Sequence, residues 1–172
     1  EAWTEAAAKP SGDLDPVEMA VYRMHASGVE LLKPLLIWLH EPGRNLDQPS
    51  IAQVVAAAES WVVRRQLIRL PGSDLGRIVA DVIKLNQTAP PKDVPDRIVA
   101  HLARLDATST YWPGDDEIRQ ALATEPAYRR YPRPRLRAFL EAIENLYRSE
   151  TGQPQVERIG YPIEHILPQK WK

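Results

Sequence analysis

Apolar residues recur at three- and four-residue spacing along most of this chain, the signature of helices that bury one face. The longest stripe is Ile51, Val54, Val55, Ala58, Trp61 and Val62. Ser50 before it and Pro71-Gly72 after it delimit a predicted helix over 51–70. Asp15-Pro16 supplies an N-cap with proline at the first helical position and starts a helix through about residue 26. Residues 29–40 are apolar and helix-like, and Pro42-Gly43 ends them. Ser73 caps a helix over 74–86, with Leu75, Ile78, Val79, Val82 and Ile83 on one face. After a proline-rich loop at 89–95, a short helix covers 96–106. Asp115 caps another through residue 124, with Asp116 and Glu117 where the helix dipole favours acid.

Residues 128–134 read as a loop rich in Pro and Arg. The last helix spans 134–151 and offers Leu136, Phe139, Leu140, Ile143, Leu146 and Tyr147 as its apolar face. Residues 156–163 look extended, with Pro162 confining them to a sheet edge. At the other end, residues 1–9 could finish an upstream helix, broken by Pro10-Ser11-Gly12. The fold class is therefore mainly α: a bundle of about six to seven helices with a short C-terminal extended or β segment. Residues 1–153 form the helical domain, and 154–172 begin something different. The absence of an initiator Met and the ending Gln169-Lys170-Trp171-Lys172 suggest an internal piece of a longer polypeptide. The segment beyond 155 then has little to pack against.

Composition changes this picture only at the edges. With 44% hydrophobic and 26% charged residues in 172, the chain can bury a core and is not disordered. Having no Cys, it needs no disulfide and holds no cysteine-ligated zinc, which fits an intracellular protein. The longest apolar runs are too short to cross a bilayer, and no signal segment opens the chain. The net charge of −1 is unevenly distributed: residues 126–172 carry 9 basic and 5 acidic side chains. Such asymmetry points weakly to an anionic partner.

Three constellations carry candidate chemistry. In the first, Arg64, Arg65 and Arg69 follow Trp61 and could meet phosphates, but Glu59 precedes them. An interior ion pair or a solvated helix face accounts for them better. In the second, Arg129, Arg130, Arg133, Arg135 and Arg137 interleave with Tyr128 and Tyr131. They offer guanidinium forks for phosphates and rings for stacking, against the plainer reading of a loop paired with acidic helices. The third is Glu164-His165 within Tyr161-Pro162-Ile163-Glu164-His165-Ile166-Leu167-Pro168-Gln169. A carboxylate can hold a hard divalent cation and a neutral imidazole can take a proton from water. On spacing alone this pair is weak. His25, His40 and His101 have no comparable neighbours, and no Gly-rich phosphate loop is present.

Residues 163–169 resemble the opening motif of the HNH nuclease domain in GmrSD- and SspE-type modification-dependent restriction endonucleases. Upstream, Glu59-Ser60-Trp61-Val62-Val63-Arg64-Arg65, Trp112-Pro113-Gly114-Asp115-Asp116-Glu117-Ile118, Tyr128 and Leu140-Glu141-Ala142-Ile143-Glu144 follow in the family's order. The resemblance covers about residues 20–170. It implies a bacterial, cytoplasmic defence enzyme that cuts DNA. Glu164 would be a metal ligand for Mg²⁺ or Mn²⁺, and His165 the general base. The arginines at 129–137 would hold the DNA backbone. It also implies an upstream nucleotide-hydrolysing domain and further HNH residues that would follow Lys172. By this reading the piece holds half an active site and is inactive alone. No membrane partner is implied, and an oligomer is left open.

Two other functions remain beside the nuclease. One is a non-catalytic helical module coupling a nucleotide-driven domain to an effector. The other is a plain nucleic-acid-binding module that uses the arginines.

Overall fold

The computed structural model describes residues 2–164. Among them are nine α-helices, one 3₁₀ turn at Pro91–Asp93, and no strand. In chain order they are α1 Ala2–Ala8, α2 Pro16–Ser27, α3 Lys33–Leu39, α4 Gln48–Leu67 and α5 Leu75–Asn86. α6 Val94–Ala103, α7 Asp115–Thr124, α8 Ala127–Arg130 and α9 Arg133–Glu150 complete the set. The mainly α expectation is met, with α1 and the single turn α8 raising the number of helices.

Local chemistry explains the clean boundaries. Asp15 accepts from the amides of Val17 and Glu18, while the Glu18 carboxylate accepts from the Asp15 amide, a reciprocal capping box. Gly28 closes α2 at φ +72°, a left-handed turn that favours glycine. α4 starts earlier than Ser50 because Asp47 is its cap, accepting from the Ser50 amide at 2.8 Å. It stops at Leu67, and Arg69 turns the chain at φ +57°.

α4 is the axis of the core. Val54, Val55, Ala58, Trp61 and Val62 are buried against α2 and α6. Val17, Ala20 and Met24 of α2, Leu35, Leu36 and Trp38 of α3, Ile78, Val79 and Val82 of α5, and Ile98 and Leu102 of α6 complete one continuous cluster. Beyond Leu102, the partly buried Leu105 and Trp112 pack against that cluster.

α9 does not face the way its periodicity predicts. Leu136 is buried, but Leu140, Ile143, Leu146 and Tyr147 are exposed, Tyr147 by 62%. The inward positions are instead Ala138 and Glu141. The reason is polar: α9 packs on α2, where the Tyr22 hydroxyl donates to the Glu141 carboxylate at 2.5 Å.

The extended segment after α9 also differs from expectation. Side chains take several of its backbone groups, and no strand forms among the described residues. Asn145 Oδ1 accepts from the Val156 amide at 2.6 Å, and Asp13 accepts from the Gln155 amide at 3.0 Å.

Candidate functional site

Glu164 is exposed at the last described position, and His165 lies outside the described residues. What the structure does describe is the lead-in to this pair, which is firmly held. Gln155 exchanges side-chain hydrogen bonds with the backbone N–H and C=O of Leu14, at 2.9 and 3.0 Å. The Arg158 guanidinium donates to the carbonyls of Lys9, Ser11 and Gly12, and its own amide donates to the Pro10 carbonyl at 2.6 Å. A chain of four carbonyls in the turn before α2 therefore wraps one arginine. Residues 155–161 are thus anchored, against the expectation that they have little to pack on. The anchor is a distant loop, not a partner strand.

Next to this clasp sits a polar cluster. The Tyr22 hydroxyl is raised well above its ordinary range, first by burial and then by its bond to Glu141. Oε1 of Glu141 and Nη1 of Arg158 are both buried without a hydrogen-bond partner. Sequence reasoning missed Gln155, Arg158, Tyr22 and Glu141, because each finds its partner more than a hundred residues away. Nothing local signals such pairs.

The five arginines proposed for DNA do not form one open patch. Arg130 is ion-paired with Glu125, and Arg133 lies over the Tyr128 ring at 3.5 Å. Arg135 donates to the Ser27 carbonyl at 3.3 Å, and Arg137 to the Tyr161 carbonyl at 2.6 Å. Arg129 and Arg133 are exposed, while Arg130, Arg135 and Arg137 are partly covered. The bond from Arg137 to Tyr161 brings the arginine stretch against the segment that carries Glu164, three residues on. It is where two of the sequence candidates meet.

The arginines of α4 serve the interior. Arg65 is buried, with a guanidinium that donates to the carbonyls of Tyr111, Thr108 and Pro71 at 2.6 to 3.1 Å. Burial lowers its pKa. Trp61 Nε1 donates to the Thr110 carbonyl at 2.8 Å, and Arg64 reaches the Pro113 carbonyl and pairs with Asp115. Arg64 holds the Asp115 carboxyl below its ordinary range. Together these side chains fix the loop over 108–113 ahead of α7. The preference for an interior role over phosphate contact is supported, but Arg65 pairs with carbonyls and not with a carboxylate.

Among the described residues, no three His, Asp or Glu side chains gather as a metal site. Glu164 is one of several exposed carboxylates, and it offers a hard oxygen donor of the kind Mg²⁺ or Mn²⁺ accepts. Among the described residues, no helix is long and apolar enough to cross a membrane.

No curated protein and no solved structure matches the chain. The family model described as GmrSD restriction endonucleases, C-terminal domain, matches residues 112–172. The match opens on the Trp112-Pro113 loop that α4 holds, crosses α7, α8 and α9, and includes Glu164 and His165. Residues 112–172 are thus similar to the C-terminal domain of the GmrSD restriction endonucleases.

Proposed function

We propose that this chain is part of a bacterial anti-phage DNA endonuclease of the HNH type, in which His165 and Glu164 act on the phosphodiester. The observation that carries the reading is the family match across residues 112–172, because it includes that pair. His165 takes a proton from the attacking water, a role suited to a neutral imidazole. Glu164 presents a carboxylate to Mg²⁺ or Mn²⁺, which when bound supplies positive charge for the developing phosphate negative charge. Arg129 and Arg133, exposed on and beside α8, hold the DNA backbone and read no sequence. The clasp between Arg158 and residues 9–12 supports the reading, since it fixes the approach to Glu164 against the helical body.

Supercoiled-plasmid cleavage by the full-length protein with Mg²⁺ or Mn²⁺ tests this. His165→Ala should slow cleavage by at least about a hundredfold, the low end of general-base contributions. Cleavage at the wild-type rate sinks the assignment. The exposed Arg129 and Arg133 also suit a module that only binds DNA. That reading requires steeply salt-dependent binding with no cleavage under any metal.

A further inference from the structure

Between α2, α4 and α9 lies a cavity of about 270 Å³ that the proposed chemistry does not use. It exists because small side chains line it, Ala56 and Ser60 from α4 and Ala138 and Ala142 from α9. Phe139 adds an aromatic ring, which Tyr131 meets edge-on at 5.6 Å. Glu59 and Gln66 both line it from α4, seven residues apart and so on one face of that helix. The side-chain carbonyl of Gln66 is buried and has no hydrogen-bond partner. Glu59 pairs with Arg23 at 3.1 Å, and both are wall residues. At the rim, the Ser27 carbonyl accepts from Arg135.

Met24, Val29, Leu32, Val62 and Val63 make most of the wall apolar, and its few polar groups select a class of ligand. A purely apolar guest would leave the Gln66 carbonyl unpaired, and a small anion would meet the Glu59 carboxylate. A planar heterocycle with both N–H donors and acceptors suits an aromatic wall, two acceptor side chains and one guanidinium. The volume is at the small end of ligand pockets, about 300–1,000 Å³, which suits one ring system without its sugar and phosphate. We propose that this cavity binds a single purine or pyrimidine base. Its N–H edge donates to Gln66 and Glu59, Arg23 donates to a ring nitrogen or carbonyl, and the attached phosphate lies outside near Arg135. Burial pushes the Glu59 carboxyl up even beside Arg23.

The base has two sources, a free nucleotide or a nucleotide turned out of a DNA duplex, which enzymes accomplish by unstacking it. Only the DNA source rests on the nuclease reading. The experiment uses the full-length protein without metal. One probe is a duplex with 2-aminopurine opposite an abasic site, and the other is each free nucleoside monophosphate, followed by NMR. Ala142→Leu fills the cavity, and Gln66→Leu removes the acceptor at similar size.

A rise in 2-aminopurine fluorescence that both variants abolish establishes the site for DNA. Mononucleotide binding that both variants weaken about tenfold or more, without that rise, establishes it for free nucleotides. A melting temperature at or above wild type for Ala142→Leu excludes unfolding as the cause. Signals that survive both variants, or no signal from either probe, overturn the base site. Neither result alters plasmid cleavage, so this proposal and the role of His165 fail separately.

Discussion

In α4 the inward residues are Ile51, Val54, Val55, Ala58, Trp61, Val62 and Arg65; in α9 they are Leu136, Ala138 and Glu141. The two helices are similar in length, 20 and 18 residues, yet they are held differently. α4 is fixed mostly by apolar surface removed from water, a non-directional force that tolerates small shifts, with Trp61, Arg64 and Arg65 adding bonds to the loop ahead of α7. α9 and the segment after it are fixed by directional bonds: Tyr22 donates to Glu141, the Val156 amide to Asn145, Arg137 to Tyr161 and Arg158 to the turn before α2. Directional bonds set position at small net gain, about 0.5–1.5 kcal/mol each. The helical body therefore carries the stability, and the family-matched region carries the geometry. The comparison can be broken at either end.

The largest effect should come from Trp61→Ala, which removes a fully buried ring and the bond to Thr110. Chemical denaturation should show a loss of about 3–5 kcal/mol. A loss below about 1 kcal/mol would mean that α4 is not the axis of the core.

Arg158→Ala should behave otherwise. Global stability should fall by only about 1–3 kcal/mol. Hydrogen exchange in residues 155–161 and 9–14 should accelerate together, with 51–67 unchanged. Acceleration in one of the two segments alone would deny the clasp.

A pH profile sharpens the same contrast inside the body. The folded pKa of Glu59 lies above its ordinary value of 4.5, because desolvation outweighs the attraction of Arg23. The native state therefore binds more protons than the unfolded one across that window, and stability falls as pH rises through it. The contribution is fully present below 4.5 and lost above the folded pKa. Denaturation midpoints of wild type and Glu59→Gln should diverge upward from pH 4.5, with wild type losing ground. Parallel profiles would show that Glu59 does not titrate differently in the fold.

The smallest effect belongs to Leu146→Ser. Leu146 is 59% exposed, and its loss should change stability by no more than about 0.5 kcal/mol. A larger loss would show that the outer face of α9 is covered.

The body was largely legible in the sequence because its signals are local. Asp15, Pro16 and Glu18 lie within four residues of one another and define the start of α2. The stripe from Ile51 to Val62 named the buried face of α4 correctly, although the cap is Asp47 and not the expected Ser50. The same periodicity misled in α9, because a stripe records spacing and not what covers it. There the polar partners of α2 decided the orientation. The His motif was visible as a motif; the resemblance read over about residues 20–170 has a family match over 112–172. Its anchoring was not, since Arg158 finds Lys9, Ser11 and Gly12 only after every helix between them has folded. The cavity was equally invisible, a space left where Ala138 and Ala142 lie across from Ser60 and Ala56.

The clasp between residues 9–12 and Arg158 makes the molecule a closed circuit in the mechanical sense. Tension applied ahead of α2 runs directly into the approach to Glu164 without passing through the core. A cut or a bulky fusion near Gly12 would be felt around Arg158 before any helix of the body loosened.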